Sequence, residues 1–491
     1  MSAAAPLPIA NSAAKQSEAT RFLCASVFLG HDDDIRKKLR PYVIDRYHSV
    51  ADNHGLNVRL LARVLDFFDQ KRLRYLAWHG PLSVLCFLIL GVAWLTTPED
   101  AQPLVIFLII IAAIAFAIPA YRRYMRNHYT YALRHFAQNN FDAQEAMEAF
   151  KNSSGKLEGK VATQESPGNV SIFGGFEPFV GAGNSLGNWS LLIDTRKGKD
   201  DESPIKFTEQ ELERSIGAGF QQLPFPDLEI GERLFVHGTE VSLIDGLLPD
   251  RFARPQQHVS EGTFALFRRS HSREARVYQF VEVSGWGDQV RISFFYRAMF
   301  RGPMVYIENH SRVLQPVWVG YREVDKLTAP KTRTKIALFI GQTVAAPFVC
   351  IAECFWLFGL LRASAEIRKL EKEQKAKIEE QARFNYGAVS SLRESFATAI
   401  YDHFFEKSDR DLYVKAIQKQ LLDSIIDFLD SRNIDTSDLR EQRTYIINSG
   451  LIVHGGLQAG AVAVGEEAKA STESVKKPKA KKVAAGGGTT T

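Results

Sequence analysis

Residues 81–95 read PLSVLCFLILGVAWL and residues 104–117 read LVIFLIIIAAIAFA, with the polar turn TTPED at 96–100 between them. Neither apolar run contains a charged residue, and each is close to the lower limit of the ~17–25 residues that a membrane-spanning helix needs. Aromatic residues flank the two runs, at Trp78, Trp94, Tyr121 and Tyr124. Such an aromatic belt is typical of a membrane interface, so the sequence predicts a transmembrane hairpin at 80–120. A buried helical hairpin in a large core is the alternative.

Basic residues decide the predicted orientation of the hairpin, because Lys and Arg near the ends of spans stay on the cytoplasmic side. They lie on both sides of the hairpin, as Lys71, Arg72 and Arg74 before it and as Arg122, Arg123 and Arg126 after it. The turn between the two runs contains Glu99 and Asp100 and no basic residue. We therefore expect the N-terminus and residues 121–335 to be cytoplasmic.

Length and charge limit the possible classes of protein. A chain of 491 residues is long for a single core, which predicts several folded regions. The net charge of +5, from 61 basic and 56 acidic residues, is small, and much of the excess lies beside the predicted spans or in the Lys-rich tail. This distribution fits membrane topology better than a nucleic-acid groove, so no nucleic-acid partner is expected. Four cysteines are too few for a disulfide framework.

The spacing of apolar residues changes along the chain, from helical before the hairpin to alternating between about 161 and 323, and back to helical near the C-terminus. We therefore predict an α+β membrane protein. Its expected order is a disordered leader (1–15), an N-terminal helical domain (16–79), the hairpin (80–120), an exit helix and linker (121–160), an α+β domain (161–330), a third membrane segment (336–361), a charged stalk and helical domain (362–450) and a Gly/Ala/Lys-rich tail, disordered at its end (451–491).

An antiparallel β-meander forms the centre of the predicted α+β domain. Its strands are Val277–Ser284, Val290–Phe300 and Met304–Glu308, and tight turns at 285–288 and 301–303 separate them. Further strands are predicted at Val170–Phe173, Trp189–Asp194 and Arg233–His237. Thr208 and Glu211 have the spacing of a capping box at the start of a helix.

Residues 173–184 read FGGFEPFVGAGN and form the most distinctive stretch of this domain. The glycine spacing misses the dinucleotide fingerprint by one position, and no Gly-Lys-Ser/Thr follows. Residues 183–187, GNSLG, match the nucleophile-elbow motif by letter, but a loop precedes them and a strand follows, which is the wrong context. Tight turns around apolar anchors are the structural interpretation. The alternative is a ligand-facing loop with Glu177, Asn184 and Ser185 as its polar groups.

A basic cluster follows the third of the further strands. It consists of Arg268, Arg269, Arg273 and Arg276. Such a cluster near the inner leaflet can attract anionic lipid at ~1 kcal/mol per charge, which makes it a candidate anion or lipid patch. A solvated basic loop is the alternative.

Motifs of catalysis and metal binding were searched for along the whole sequence. It contains no His-Glu-x-x-His, no paired Cys-x-x-Cys and no carboxylate-rich calcium loop. We therefore expect no catalytic residue, no metal and no cofactor, and a chain that is not an enzyme.

A third apolar segment, Ile336–Leu361, is long enough to cross a membrane but contains Gln342, Pro347 and Glu353. Polar groups at membrane depth suggest a pore lining or a contact with a partner helix. The alternative is that Glu353 lies near an interface or is protonated. Basic residues lie on both sides, so the segment either crosses, which we favour, or bends back at Pro347 as a re-entrant segment.

The C-terminal part is predicted to be helical. Ala363–Arg383 mixes opposite charges and resembles a short stalk or weak coiled coil. Ser391 with Glu394, and Ser408 with Asp411, have the spacing of helix starts. The apolar face beyond them comprises Leu412, Ala416, Ile417, Leu421, Ile425, Phe428 and Leu429. These helices should form a bundle or dimerise, which predicts a protein partner or self-association.

Five stretches of the sequence are distinctive when taken together: Arg21-Phe-Leu-Cys24, the hairpin, Pro178-Phe-Val-Gly-Ala-Gly183 with Trp189-Ser190, residues 308–321 with Val313-Leu-Gln-Pro316, and Gly455-Gly456 to Ala461-Val-Ala-Val-Gly465. In this order they resemble a group of uncharacterised actinobacterial multi-pass membrane proteins. The resemblance covers most of the chain and implies a bacterial inner-membrane location. The group has no assigned activity, so the resemblance implies no mechanism.

Three functional hypotheses follow from the sequence. The first, which we favour, is a membrane-anchored scaffold or sensor that binds partners, the lipid bilayer among them, through its α+β domain and C-terminal helices. The second is an oligomeric channel or pore-forming effector that uses Gln342 and Glu353. The third is a membrane-tethered enzyme with a pocket near the Gly-rich stretch and the basic cluster.

Overall fold

The computed structural model describes residues 17–74, 128–161 except 154 and 156, 168–199, 202–269, 275–327 and 368–449, with isolated residues 92, 96, 98, 103, 362 and 366. Its helices are α1 (Glu18–Val27), α2 (Asp32–Ile44), α3 (58–74), α4 (128–136), α5 (Ala143–Ala149), α6 (Glu158–Val161), α7 (Glu209–Phe220), α8 (Glu261–Arg269), α9 (368–380), α10 (Leu392–Ser395), α11 (Phe404–Ser431) and α12 (Ser437–Ser449). Its strands are β1 (Val170–Phe173), β2 (Asn184–Asp194), β3 (Leu228–His237), β4 (Ala275–Gly285), β5 (Val290–Arg301) and β6 (Met304–Leu314).

The six strands form one mixed sheet in the order β1-β3-β4-β5-β6-β2. The predicted meander is present, since β4, β5 and β6 pair antiparallel in chain order, with Val283 opposite Ile292 and Ala298 opposite Ile307. β2 adds antiparallel to β6, whereas β1 pairs parallel to β3. The sheet is therefore mixed and not purely antiparallel as predicted.

Helices α7 and α11 cover one face of the sheet, and α12 packs against α11. The predicted capping box starts α7: Thr208 accepts from the backbone of Glu211, and the Glu211 side chain accepts from that of Thr208. Leu212 and Ile216 of α7 are fully buried in one apolar cluster with the meander and with α11. The predicted apolar face of α11 packs on the sheet from Ile417 onward, which gives these C-terminal helices a partner within the chain, whereas Leu412 is exposed.

Two helix starts near the C-terminus differ in outcome. The capping box of Ser391 and Glu394 is present, but the helix that it starts ends at Ser395 and does not reach Phe405 as predicted. α11 starts at Phe404, four residues before the predicted start at Ser408. The earlier start places Phe404 and Phe405 in the first turn of a long helix.

The N-terminal helices form a second apolar cluster, which adjoins the turn between β4 and β5, where the Glu18 N–H donates to the carbonyl of Gly287. It includes Cys24, which is fully buried, and it also contains Tyr321 and Phe396 from much later in the chain. Arg21 is fully buried as well, and its guanidinium pairs with Glu18 and Asp325. Residues from both ends of the described chain therefore share one core. The predicted domain boundaries stay a prediction.

Among the residues that the structure describes, no helix is both long and apolar enough to cross a membrane. α11 has sufficient length, at 28 residues, but charged residues recur along it and its apolar side packs on the sheet. The predicted multi-pass fold class, the inner-membrane location and the membrane-anchored scaffold, channel or membrane-tethered enzyme are therefore wrong for this part of the chain. The predicted spans at 80–120, apart from isolated residues, and at 336–361 lie outside the described residues.

Candidate functional site

The Gly-rich loop between β1 and β2 holds a carboxylate of its own chain. Gly181 and Gly183 have positive φ angles of 97° and 84°, and their N–H groups donate to the same oxygen of Glu394, at 3.0 and 2.8 Å. A Cβ atom on Gly183 would lie 2.1 Å from the carbonyl oxygen of Val313, so only glycine fits there. The loop is an anion-binding nest, and Glu394 fills it.

Three polar residues of this loop were predicted to face a ligand. Two of them contact other side chains of the protein, and the third lies in a strand. Glu177 forms an ion pair with Arg312. The Asn184 side-chain amide donates to Oε1 of Gln315 at 3.1 Å. Ser185 lies within β2, in register with Arg312 and next to an irregularity in the pairing. The structure therefore brings Glu177 and Ser185 to the same arginine.

Phe179 anchors the same loop on the sheet. Its ring is buried and stacks on Phe295 with 4.5 Å between ring centroids, and it contacts Phe235, Tyr278 and His310 edge-on or tilted. The hydroxyl of Tyr278 beneath it donates to Oε1 of Glu308 at 2.8 Å. This aromatic box could hold a ligand if it were open, but the side chain of Phe179 occupies it.

The predicted basic patch is not assembled within the described residues. Arg268, on α8, pairs with Glu232 and Glu261 on the α7 side of the sheet. Arg276 contacts the hydroxyl of Tyr278, on the opposite face. Arg269 ends α8, and its side chain is outside the description, as are the whole of Arg273 and the intramembrane candidates Gln342 and Glu353.

Arg268 instead forms part of a cleft between α7 and α8, which we call the α7–α8 cleft. It consists of two adjoining cavities, of about 310 and 640 Å³. Gln210, Glu213 and Arg268 line both cavities. The smaller one is also lined by Glu209, Val277 and Arg297, and the larger one by Arg214, Glu232, Gln279 and Tyr296.

The cleft exists because the sheet separates at this point. The pairing of β4 with β5 ends at Gln279 and Tyr296, after which β5 continues alongside β6 only. Carboxylates of α7 take the place of the missing strand: Glu209 accepts from the Phe300 N–H at 2.6 Å, and Glu213 accepts from the Ala298 N–H at 3.5 Å. A helix thus satisfies an otherwise open strand edge.

Glu213 is the titratable group of the cleft. Its pKa is raised from 4.5 to about 7, chiefly by burial and also by the neighbouring charges of Glu209 and Glu232, which together outweigh a lowering by the Ala298 N–H and Arg297. Arg268 gives Glu213 little compensation, because Glu232 accepts from both Arg268 and Gln279. Glu213 can therefore gain or lose a proton near neutral pH.

Two buried polar groups of the cleft have no partner among the described residues. Tyr296 is 1% exposed, and no described group forms a hydrogen bond with its hydroxyl, although it lines the larger cavity. Arg297 is 8% exposed and lines the smaller cavity, and no described group accepts a hydrogen bond from its guanidinium. Its cross-strand neighbour Glu308 accepts from Tyr278 instead. Both side chains are largely buried, and their polar ends reach the two cavities, where a ligand can contact them.

An exposed apolar surface at the start of α11, which we call the α11 patch, is the second functional feature. It consists of Trp286, Ile400, Phe404, Phe405 and Leu412. Ile400, Phe404 and Phe405 are 68%, 79% and 70% exposed, which is unusual for residues of this size. Trp286 extends the patch because its ring stacks on His403 and its Nε1 donates to Asp409 at 2.9 Å.

The comparisons with known proteins place the chain in a family. The AbeC-like domain model matches residues 188–462, which is more than half of the chain. The chain belongs to the AbeC-like domain family. Neither the search of curated proteins nor the search of solved structures gave a match. The AbeC-like region includes the α7–α8 cleft and the α11 patch, whereas Gly181 and Gly183 lie just before it.

The sequence reasoning missed both features, although each left a signal. Arg297 interrupts an apolar run of β5, and an arginine inside such a run points to a special environment. Phe404 and Phe405 are adjacent, so a helix cannot bury both on the face that begins at Ile417. Within the described residues, no group of His, Cys, Asp and Glu side chains could hold a metal ion.

Proposed function

We propose that this AbeC-like chain is a non-catalytic protein-binding module that associates with a second copy of itself through the α11 patch. The exposed aromatic pair of Phe404 and Phe405 is the observation that carries the proposal. Large contiguous apolar patches on a protein surface mark interaction sites, and aromatic side chains contribute most of the binding energy at such sites.

The patch has a rigid base, which favours a binding role. Glu406, in the first turn of α11, is buried, and its carboxylate pairs with Arg322. Trp286 is held by the stack on His403 and by the hydrogen bond to Asp409. Because these contacts fix the first turns of α11, the backbone that carries Phe404 and Phe405 needs no further ordering when a partner covers them.

A second copy is the partner that the surrounding charges favour. Lys407 and Lys415 alternate with Asp402, Asp409 and Asp411 around the patch, so the surface contains both signs of charge. Two such surfaces related by a two-fold axis can bring opposite charges together around a shared apolar centre. A patch of one sign would favour an oppositely charged partner instead.

The oligomeric state of the full chain tests this proposal. Sedimentation velocity from about 1 to 100 μM should show a mass that rises from one chain toward two. The double variant Phe404→Ser/Phe405→Ser should weaken association by at least about 20-fold, because it removes the centre of the interface. Leu266→Ser removes an equally exposed apolar residue on α8 and should leave the association unchanged.

Two results would contradict the proposal. One is a single-chain mass for the unaltered protein over the whole concentration range. The other is an association that the double variant and Leu266→Ser affect equally, since this would place the interface elsewhere.

We also propose that the chain shares its origin with the actinobacterial group that its sequence resembles. The support is that residues 308–321 and the dipeptide Trp189-Ser190, which carry part of the resemblance, lie inside the AbeC-like region. A comparison of the gene's neighbours and base composition with actinobacterial genomes tests this origin. A clear fit to another phylum would overturn it.

A further inference from the structure

The α7–α8 cleft presents polar groups of opposite character at its two ends, and two of these groups, Arg297 and the hydroxyl of Tyr296, have no hydrogen-bond partner among the described residues. Arg297, a cation, lines only the smaller cavity, and Tyr296 and Glu232 line only the larger one. Glu213 lies between them, because it lines both. Protein interiors pair such groups with each other or with ligands, so the arrangement predicts a ligand that carries two different charges.

We propose that the α7–α8 cleft binds a small zwitterion of the amino-acid class. Arg297 holds its carboxylate in the smaller cavity, because a guanidinium and a carboxylate form paired, charge-assisted hydrogen bonds. Glu213, Glu232 and the hydroxyl of Tyr296 hold its ammonium group in the larger cavity. Three oxygen acceptors match the three hydrogens of a primary ammonium group.

The charges of the cleft argue against other ligand classes. Its walls contain three carboxylates, Glu209, Glu213 and Glu232, and three cations, Arg214, Arg268 and Arg297, of which Arg268 is already paired with Glu232 and Glu261. A phosphate would meet these carboxylates and be repelled. A simple cation would leave Arg297 buried and unpaired. A zwitterion without net charge satisfies both ends at once.

The size of the cleft agrees with this class. Cavities of about 310 and 640 Å³ lie within the ~300–1,000 Å³ range of small-molecule sites. Both cavities lie within the AbeC-like region and involve α7, α8, β3, β4 and β5. The site is separate from the α11 patch, so it stands whether or not the protein self-associates.

Thermal unfolding of the full chain with free amino acids tests the proposal. The probes are the common L-amino acids, β-alanine and γ-aminobutyrate, and calorimetry then measures the affinity of those that raise Tm. At least one free amino acid should raise Tm. Its N-acetyl and carboxamide derivatives should not, because each lacks one of the two charges. The spacing between the charges of the best probe reports the distance between the two ends of the site.

Variants locate the binding. Arg297→Gln should weaken binding at least about ten-fold, and Tyr296→Phe should weaken it several-fold. Arg301→Gln removes an exposed arginine four residues further along β5 and should leave the affinity unchanged. If Arg297→Gln fails to fold, Tyr296→Phe and the blocked derivatives still decide the question.

Three results would overturn the proposal. The first is that no free amino acid raises Tm of the unaltered protein. The second is that the blocked derivatives bind as well as the free amino acid. The third is that Tyr296→Phe and Arg301→Gln bind it equally, which would place the ligand outside the cleft.

Discussion

The Gly-rich loop and the α7–α8 cleft differ in the way they use their polar groups. In the loop, the N–H groups of Gly181 and Gly183 both reach Glu394, and Glu177 pairs with Arg312. In the cleft, the hydroxyl of Tyr296 has no partner among the described residues. The loop looks like a ligand site in the sequence and is closed, whereas the cleft has no sequence motif and is open.

The difference shows that a binding motif indicates which groups can bind, and that the fold decides what they bind. A glycine nest binds any suitable anion, and this chain supplies one from α10. Polar groups that the fold leaves unpaired can still form hydrogen bonds to a ligand. If this comparison is correct, substitutions in the loop should reduce stability, and the same kind of substitution in the cleft should cost little.

The largest effect is expected for Glu394→Ala. This change removes the acceptor of the Gly181 and Gly183 N–H groups and one half of the capping box with Ser391. We expect the free energy of unfolding to fall by about 2–4 kcal/mol, since two N–H groups lose a charged acceptor and a helix loses its cap. Urea unfolding followed by tryptophan fluorescence measures it.

Glu211→Ala is the matched control for this prediction. Glu211 completes a capping box with Thr208 at the start of α7, and its other contact within the described residues is a 3.6 Å ion pair with Arg432 rather than a pair of glycine N–H groups. Glu211→Ala should lower the free energy of unfolding clearly less than Glu394→Ala does. Equal losses would mean that Glu394 acts only as a cap and that the filled nest contributes nothing to stability.

Local patterns were sufficient to predict much of the sheet. Alternating apolar residues gave the meander, and the spacing of Thr208 and Glu211 gave the start of α7. The same patterns could not give the partner of β1, because periodicity does not reveal which strands are neighbours. They read long apolar runs as spans, whereas the described helices bury their apolar residues against the sheet and one another.

The candidate site was less predictable, because its contacts join residues far apart in the chain. Glu394 meets Gly181 across 213 positions, and nothing near either residue in the sequence indicates that contact. The opening between β4 and β5 depends on where α7 lies over the sheet. Arg297 could be noticed as a charge in an apolar strand, but its missing partner is a property of the fold alone.

A second test compares two buried tyrosines on neighbouring strands of the meander. Tyr278→Phe removes the hydrogen bond to Glu308, and we expect it to cost about 1.5–3 kcal/mol, because Glu308 loses its donor inside the protein. Tyr296→Phe removes a hydroxyl without a described partner and should change the free energy of unfolding by less than about 0.5 kcal/mol. Equal losses in the two variants would mean that Tyr296 does have an essential partner.

The smallest expected effect concerns Glu213 and pH. Its pKa is about 7 in the folded protein, whereas its ordinary value is 4.5. Between pH 4.5 and about 7, the folded state therefore keeps a proton on Glu213 that the unfolded state has lost. Protonated Glu213 therefore contributes stability that is fully present below about pH 4.5 and is lost as the pH rises through about 7. Between about pH 5.5 and 8 the free energy of unfolding should fall by about 1–2 kcal/mol more in the unaltered protein than in Glu213→Gln, which cannot titrate and keeps the shape of the side chain. Urea unfolding at a series of pH values measures this difference, and parallel curves for the two proteins would show that Glu213 is already ionised in the cleft and titrates as an exposed glutamate does.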